Sequence, residues 1–356
     1  MDKRDLLIVF LSQFDLSSNK IKQIVENMKE LSIACFKKTK FDKSVLSDDV
    51  YQKMLECADE TLVETYIKNL KDREIGVTTI YMDDYPSKLK EMIDSPYILY
   101  YKGDLALAER PTLSVVGTRK PTNYGRMATE KLVRDVASAG VVIVSGLAYG
   151  IDSIAHRTTL EAGGKTIAVL GSGFDHVYPA QHKSLADEIA RKGLLVSEMR
   201  PKRTTSKYLF PLRNRIIAGL GDGTLITEAG IKSGTIHTKE FALEFGRNIY
   251  AVPGNIDSEN SQLTNEVIKT GQGACVVCAK DILDDYSLKV EQTKMQFDNL
   301  SNDEKEIVKL LESGMKDVDD LTKNIQMSIN NFNTCLTILE IRGIIRRLPG
   351  GMVALN

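Results

Sequence analysis

The sequence of 356 residues has no tryptophan, four histidines and five cysteines, and these shortages exclude several classes of protein. With so few histidines and an odd number of cysteines, neither a metal centre nor a disulfide framework is expected. The N-terminal apolar run at 6–11 is too short to span a membrane, and Asp2 and Asp5 stand where a signal peptide would be basic. We therefore expect a cytoplasmic protein with reduced thiols and no membrane association.

An excess of positive charge is also missing, because the formal net charge is −1 at pH 7. Any nucleic-acid site must therefore be a local basic patch. The signatures of nucleotide binding are absent as well: no G-x-G-x-x-G follows the first predicted strand, and there is no Walker pattern. Cys275 and Cys278 lie in an apolar, strand-like run without a second pair, which argues against metal or redox use. We expect no cofactor and no bound metal.

From Thr112 onward, short strands rich in valine, isoleucine and leucine alternate with helices. This pattern predicts a doubly wound α/β fold, in which a mostly parallel sheet is covered on both faces. Right-handed crossovers bring the carboxyl ends of the strands to one edge, where such sheets bind ligands. The predicted strand ends carry glycine, hydroxyl or charged residues, at 117–119, 145–146, 171–173 and 198.

The stretch 210–229 concentrates the strongest signals at this edge. Arg213 and Arg215 flank Asn214, and glycines at 219, 221 and 223 then break the predicted helix. Guanidinium groups match phosphate oxygens, and backbone N–H groups at glycine-rich strand ends form anion sites. The stretch therefore predicts a phosphate-bearing partner, with a tight turn and two surface arginines as the alternative. Other candidates for the same edge are Arg119, Lys183, Ser145, Ser172, Ser233 and Gly234.

Several blocks of sequence, in this order, resemble the DNA-processing protein A family, DprA, also called Smf. They are VVGTRKPTNYG (115–125), IVSGLAYGIDSIAH (143–156), TIAVLGSGFDHVYP (166–179), FPLRNRIIAGL (210–220) and AVPGNI (251–256). The resemblance implies an extended Rossmann-like fold without a nucleotide cofactor, and a protein that is not an enzyme. It also implies a homodimer that binds and protects single-stranded DNA and helps load RecA recombinase onto it during natural transformation.

The resemblance assigns roles to individual residues. Arg119 and Lys183 match positions implicated in DNA binding, and Phe210 could offer an aromatic face to a base. A core position for Phe210 is the alternative interpretation. The positions that would line the basic pocket are Ser145, Gly146, Arg213 and Asn214, and the candidate set is completed by Gly171, Ser172, Arg215, Ser233 and Gly234.

The chain is expected to divide into five segments. A helical domain of SAM or helix–hairpin–helix type covers 1–75, and an irregular connector with one short strand covers 76–111. The Rossmann-like DNA-binding domain follows at 112–285, and a polar linker at 286–298 leads to a winged-helix domain at 299–356. In that last domain Ser301 and Glu304 predict a capping box, and 328–342 predicts the third helix. This helix could enter a DNA groove or contact protein, and the sequence leaves both open.

Three other functions compete with DNA binding. Asp152 and His156 lie four residues apart and share a helix face, which a hydrolase could use, although such a pair more often orients a loop. The run 221–228 is similar to the glycine-rich site of nucleoside-monophosphate phosphoribohydrolases, in which Glu228 would polarise a ribose. The spacing is inexact. An adaptor that acts through its terminal helical modules is the third possibility.

Overall fold

The computed structural model describes residues 1–286, 300–311, 314, 316–325, 327–342, 344–348 and 350–355. These residues belong to two compact units, Met1–Glu291 and Gln292–Asn356. Apart from Tyr286, the linker predicted at 286–298 lies outside the described residues.

The N-terminal part of the first unit is helical, as the periodicity of its apolar residues predicts. The run at 6–11 is fully buried in the first helix, where Phe10 packs edge to face against Phe36 with ring centroids 5.4 Å apart. Among the described residues, no helix is both long enough and apolar enough to cross a membrane. The helices are α1 (Lys3–Ser12), α2 (Ser18–Glu26), α3 (Ile33–Phe36), α4 (Asp48–Glu56) and α5 (Glu60–Lys71).

A nine-stranded sheet forms the centre of this unit, and its order is β1-β2-β6-β5-β4-β3-β7-β8-β9. The seven strands from β6 to β9 in this order run parallel, whereas β1 and β2 are antiparallel. The strands are β1 (Gly76–Thr79), β2 (Ile98–Gly103), β3 (Thr112–Val116), β4 (Val142–Ser145), β5 (Thr166–Leu170), β6 (Leu194–Ser197), β7 (Gly223–Ile226), β8 (Asn248–Ala251) and β9 (Ala274–Cys275).

Helices cover both faces of this sheet, which confirms the predicted doubly wound fold. Val144 and Ile167 face one helical layer, and Ile143 and Val115 face the other, so the apolar strands are buried on both sides. The helices are α6 (Ser87–Lys90), α7 (Asn123–Ser138), α8 (Ile151–Glu161), α9 (Lys183–Lys192), α10 (Leu209–Leu220), α11 (Thr235–Glu244), α12 (Gln262–Lys269) and α13 (Lys280–Leu283). Short 3-10 turns lie at Leu105–Glu109, Phe174–His176, Ala180–His182 and Glu259–Ser261.

Two details differ from the sequence prediction. The segment 76–111 contributes two strands, β1 and β2, that pair with each other and extend the sheet beyond β6, so it is more than a connector. Gly219 does not break its helix but lies inside α10, where a side chain would come within 2.3 Å of the Met92 sulfur. Both features depend on partners distant in sequence, which a local pattern does not report.

The described residues of the second unit form three helices and a three-stranded antiparallel sheet of order β10-β12-β11. Ser301 and Glu304 form the predicted capping box, and Phe332, Leu336 and Leu339 are buried as predicted. The side chain of Ile341, predicted to face the same core, is outside the described residues. The elements are α14 (Asn302–Leu311), β10 (Lys316–Asp317), α15 (Val318–Lys323), α16 (Ile329–Ile341), β11 (Ile345–Leu348) and β12 (Met352–Leu355).

Candidate nucleic-acid interface

An aromatic platform lies at the carboxyl edge of the parallel sheet. Phe210, in the first turn of α10, is half-buried and packs over Gly171, the residue that follows β5. A side chain at Gly171 would come within 3.3 Å of the Phe210 ring, so the ring would have to shift by a few tenths of an ångström to admit one. The exposed ring of Tyr178 lies beside it at a centroid distance of 5.4 Å and a tilt of 50°. We call Phe210 and Tyr178 the ring platform.

Two of the predicted cations are exposed, and one of them lies beside this platform. The guanidinium carbon of Arg119, in the loop after β3, is 5.6 Å from the centroid of the Phe210 ring. In the part of the chain that the structure describes, no carboxylate lies within ion-pair distance of Arg119. Lys183, in the first turn of α9, is 68% exposed and lies 3.6 Å from Asp187, a contact that is weak in water. Both charges are therefore available to a ligand.

Arg213 differs from these cations because it is buried. Its Nη1 donates to the carbonyl oxygens of Gly146 and Val169, so the side chain joins the loop after β4 to the end of β5. Burial, assisted by the charge of Arg119 and opposed by Asp152, lowers the pKa of Arg213 to about 10. The group stays charged at neutral pH, but its fork is directed at backbone carbonyls and not at solvent.

Arg215 is also committed to the interior. It donates from Nη2 to both oxygens of Glu198 at 2.7 Å and from Nη1 to the Asp94 carbonyl at 2.8 Å, and only 3% of its side chain is exposed. Glu198 in turn accepts from the Ser18 hydroxyl of the helical domain. The expectation that Arg215 lines a DNA surface is therefore corrected, because its side chain is buried in an ion pair with Glu198.

Most of the predicted hydroxyl groups are likewise engaged inside the protein. Ser145 is buried and donates to the Val115 carbonyl at 2.6 Å, and Ser172 is buried and donates to the His176 carbonyl at 2.7 Å. Asn214 accepts from its neighbour Arg213 at 3.2 Å and donates to the Gly234 carbonyl at 3.3 Å. Ser145 and Ser172 therefore shape the edge of the sheet from inside, whereas Asn214 is half-buried.

Ser233 and Gly234 precede α11. Gly234 is exposed, whereas the hydroxyl of half-buried Ser233 is enclosed and has no hydrogen-bond partner among the described residues. Of the predicted site residues, Arg119, Lys183 and Gly234 are exposed, and Phe210 and Asn214 are half-buried. Gly171 supports the ring platform from below, and the carbonyl of Gly146 is bound to Arg213.

Comparison with known protein families tests the resemblance to the DprA family that the sequence blocks indicate. A family model described as DNA recombination-mediator protein A matches residues 76–287, and one described as DprA winged helix domain matches residues 291–351. The chain belongs to the DprA family. The DNA processing protein DprA of Bacillus subtilis is 39% identical over 216 residues, which is 60% of this chain and 72% of that protein.

Two solved structures of DprA proteins resemble the fold. The X-ray structure of DNA processing protein A from Streptococcus pneumoniae matches with a TM-score of 0.61 and 33% identity, over 77% of this chain and 95% of that one. A Helicobacter pylori structure matches with a TM-score of 0.54 and 30% identity, over 59% and 95% of the two chains. Its description concerns the unique single-stranded DNA binding mode of DNA processing protein A.

Sequence reasoning missed two exposed tyrosines at this edge of the DprA fold. Tyr178 belongs to the ring platform, and Tyr149 is 39% exposed in the loop after β4. The Tyr149 ring lies edge to face against His182 at 5.1 Å, and its hydroxyl donates to Gln181 at 2.6 Å. The available signal was an aromatic residue beside a glycine or proline at a predicted strand end, as in Tyr149-Gly150.

The structure gives the hydrolase candidates structural partners of their own. Asp152 accepts from the backbone N–H groups of Gly146 and Ala148, at 3.2 and 3.3 Å, and so orders the loop after β4. His156 instead lies 2.7 Å from the Thr166 hydroxyl. Burial, and after it the charge of Arg213, lowers the pKa of His156 to about 3. A fully buried, neutral imidazole beside a hydroxyl is a core group, which favours the loop-orienting interpretation of the pair.

Proposed function

We propose that this DprA-family protein binds and protects single-stranded DNA and helps load RecA recombinase onto it, during DNA uptake and recombination. The observation that carries the proposal is the solvent-facing ring platform with Arg119 over one of its rings. An unpaired base can stack on such a ring, whereas bases inside a duplex are already stacked on their neighbours. The description of the Helicobacter pylori relative supports the choice of single-stranded DNA.

Two kinds of side chain would contact the strand, aromatic rings and cations. Phe210 and Tyr178 would stack bases, and Arg119 and Lys183 would contact phosphates. Arg213 and Arg215 would act indirectly, because they hold α10, which carries Phe210, against the ends of β4, β5 and β6. Since stacking does not depend on base identity, we expect little sequence preference from the platform itself.

The test is fluorescence anisotropy with a labelled poly-dT oligonucleotide at two salt concentrations, with duplex DNA as competitor. Base stacking contributes about 1–3 kcal/mol per base, so Phe210→Ala should weaken binding about 5- to 150-fold. Lys165→Ala is the matched control, because Lys165 is exposed just before β5, at the opposite edge of the sheet. Wild-type protein that prefers duplex DNA, or a Phe210→Ala variant that binds as wild type does, would contradict the proposal.

RecA loading and dimerisation need separate measurements. We expect the wild-type protein to speed the assembly of RecA on single-stranded DNA that is coated with a single-strand-binding protein. Sedimentation velocity should show a dimer. A protein that binds poly-dT but leaves RecA assembly unchanged would limit the function to binding and protection.

The phosphoribohydrolase alternative is less well supported by the contacts. Glu228 is 2% exposed, and its two oxygens accept from the backbone N–H and the hydroxyl of Thr122, at 2.8 and 2.7 Å. These bonds order the loop before α7 and occupy part of the acceptor capacity of the carboxylate. Release of free base from nucleoside monophosphates by the wild-type protein would favour the enzyme instead.

A further inference from the structure

A cleft separate from the ring platform lies where the strand order of the sheet reverses. From β3 the chain builds β4, β5 and β6 on one side, and then β7, β8 and β9 on the other. Doubly wound sheets bind ligands at this switch point, outside the carboxyl ends of the strands. A cleft of about 540 Å³ opens at that position and is lined by Thr122, Tyr124, Glu228, Pro253, Asn255 and Ser258, among others. Its volume falls in the range of roughly 300–1,000 Å³ that holds small ligands.

Glu228 supplies a buried hydrogen-bond acceptor to this cleft. Its carboxylate accepts two hydrogen bonds, both from Thr122, and no cation forms an ion pair with it in the described part of the chain. An ionised carboxylate offers about four acceptor positions, so part of its capacity is unused. Gly125 makes room for this group, since a side chain there would come within 2.1 Å of Glu228 Oε2. The cleft is therefore equipped to receive hydrogen-bond donors.

The position of the same carboxylate argues against an anionic ligand. Thr122 is the N-cap of α7 and Gly125 lies in its first turn, so Glu228 sits at the positive end of a 16-residue helix. A carboxylate there already compensates the helix dipole, and it would repel a phosphate. The ligand group that meets Glu228 must instead carry N–H or O–H donors, and a neutral donor is compatible with the nearby positive end of the helix.

The walls of the cleft favour a flat ring. Tyr124 is half-exposed, and its hydroxyl donates to the Pro253 carbonyl at 2.6 Å, which holds the aromatic ring against the chain that follows β8. Tyr124 and Pro253 together give an aromatic and apolar surface, and Asn255 and Ser258 add neutral polar groups. A flat ring that carries an amino group and is linked to a polar sugar matches this combination.

We propose that the switch-point cleft binds an amino-bearing nucleobase, whose exocyclic amine donates to Glu228 while the base packs against Tyr124. Carboxylates accept in this way from the N4 amine of cytosine. The ligand is either a free nucleoside or a base of a bound strand. A bound strand could supply the base, because one loop carries both Arg119, beside the ring platform, and Thr122, beside the cleft. The proposal goes beyond the proposed function and holds for a free nucleoside even without DNA binding.

Cytidine and uridine make a matched pair for the test, because they differ where an amine replaces a carbonyl. Isothermal titration of the full chain should show cytidine binding at least about tenfold tighter than uridine, because uridine would place a carbonyl oxygen instead of an amine against Glu228, and a hydrogen bond to a charged group contributes about 1.5–3 kcal/mol. Glu228→Gln should abolish this preference. Tyr124→Ala should weaken cytidine, and Tyr124→Phe, which keeps the ring, should weaken it less.

The outcomes separate this proposal from the proposed function. Equal affinity for the two nucleosides, no cytidine binding at millimolar concentration, or competition by inorganic phosphate would overturn it, and the Tyr124 pair decides the case if Glu228→Gln does not fold. Poly-dT anisotropy on the same samples tests DNA binding alone, because thymine lacks the amine. If one dC within an oligo-dT strand tightens binding in the wild type but not in Glu228→Gln, the base comes from the strand. If cytidine binds together with oligo-dT and dC has no effect, the ligand is a free nucleoside.

Discussion

The carboxyl edge of the sheet contains two layers of cationic side chains that do different work. In the outer layer, Arg119 is exposed beside the Phe210 ring, and Lys183 is exposed in the first turn of α9. In the inner layer, Arg213 and Arg215 are buried, and their donors are occupied by backbone carbonyls and by Glu198. The comparison teaches that an arginine near a ligand-binding edge can either bind the ligand or build the edge. Substitutions should therefore separate cleanly into losses of affinity and losses of stability.

The largest effect is expected from removing Arg215. Arg215→Ala leaves the Glu198 carboxylate, 12% exposed, without the Nη2 group that donates to both of its oxygens. Breaking a buried pair in this way costs about 3–5 kcal/mol of unfolding free energy, because the remaining charge stays desolvated. Urea or thermal unfolding measures the loss, with Arg119→Ala as the matched outer-layer control. An Arg215→Ala protein that is as stable as wild type but defective in binding poly-dT would contradict the division, because Arg215 would then bind the ligand.

How far the sequence predicts this division can be judged from these arginines. The glycine-rich strand ends and the FPLRNR block place the edge correctly, because strand alternation and short motifs are local signals. Which arginine is buried is not a local property: Arg215 meets the carbonyl of Asp94, 121 residues away, and Arg213 meets carbonyls after β4 and in β5. Phe210 is similar, since its exposure depends on Gly171 and Tyr178 from another loop.

The second prediction concerns the stability of the protein in acid, which depends on His156 near the inner-layer residue Arg213. Folding lowers the pKa of His156 from 6.5 to about 3 through burial and then the charge of Arg213, so the native state binds fewer protons than the unfolded chain. The free energy of unfolding therefore decreases as the pH falls below 6.5. The decrease that His156 causes is about 2 kcal/mol between pH 7 and pH 5. Asp152, whose pKa is raised by burial, acts in the opposite direction.

Because of that opposition, the measurement compares two proteins. Unfolding free energies of the wild type and of His156→Gln at pH 7 and pH 5 isolate the histidine, and the wild type should lose about 2 kcal/mol more than the variant. Equal losses in the two proteins would show that His156 does not carry the acid sensitivity.

The third prediction tests the outer layer through salt. Arg119→Ala should weaken poly-dT binding and reduce the slope of log affinity against log salt by about 0.7, the value for one phosphate contact on a single strand. The melting temperature should hardly change, because the side chain is exposed and no described carboxylate pairs with it. A lower affinity with an unchanged salt slope would mean that Arg119 orients the Phe210 ring and does not contact phosphate.

The smallest effect should come from a neighbour of the outer layer. Asp187 lies 3.6 Å from the Lys183 ammonium, and both side chains are more than half exposed. Asp187→Asn removes an acid that competes with phosphate for Lys183, so poly-dT affinity should rise by about twofold at low salt and by less at high salt. Lys183→Ala is the control in which the gain should disappear, because Asp187 then has no cation to compete for. If Asp187→Asn strengthens binding equally with and without Lys183, Asp187 acts by repelling the DNA phosphates directly. Lys183 would then not contact phosphate and would not belong to the outer layer.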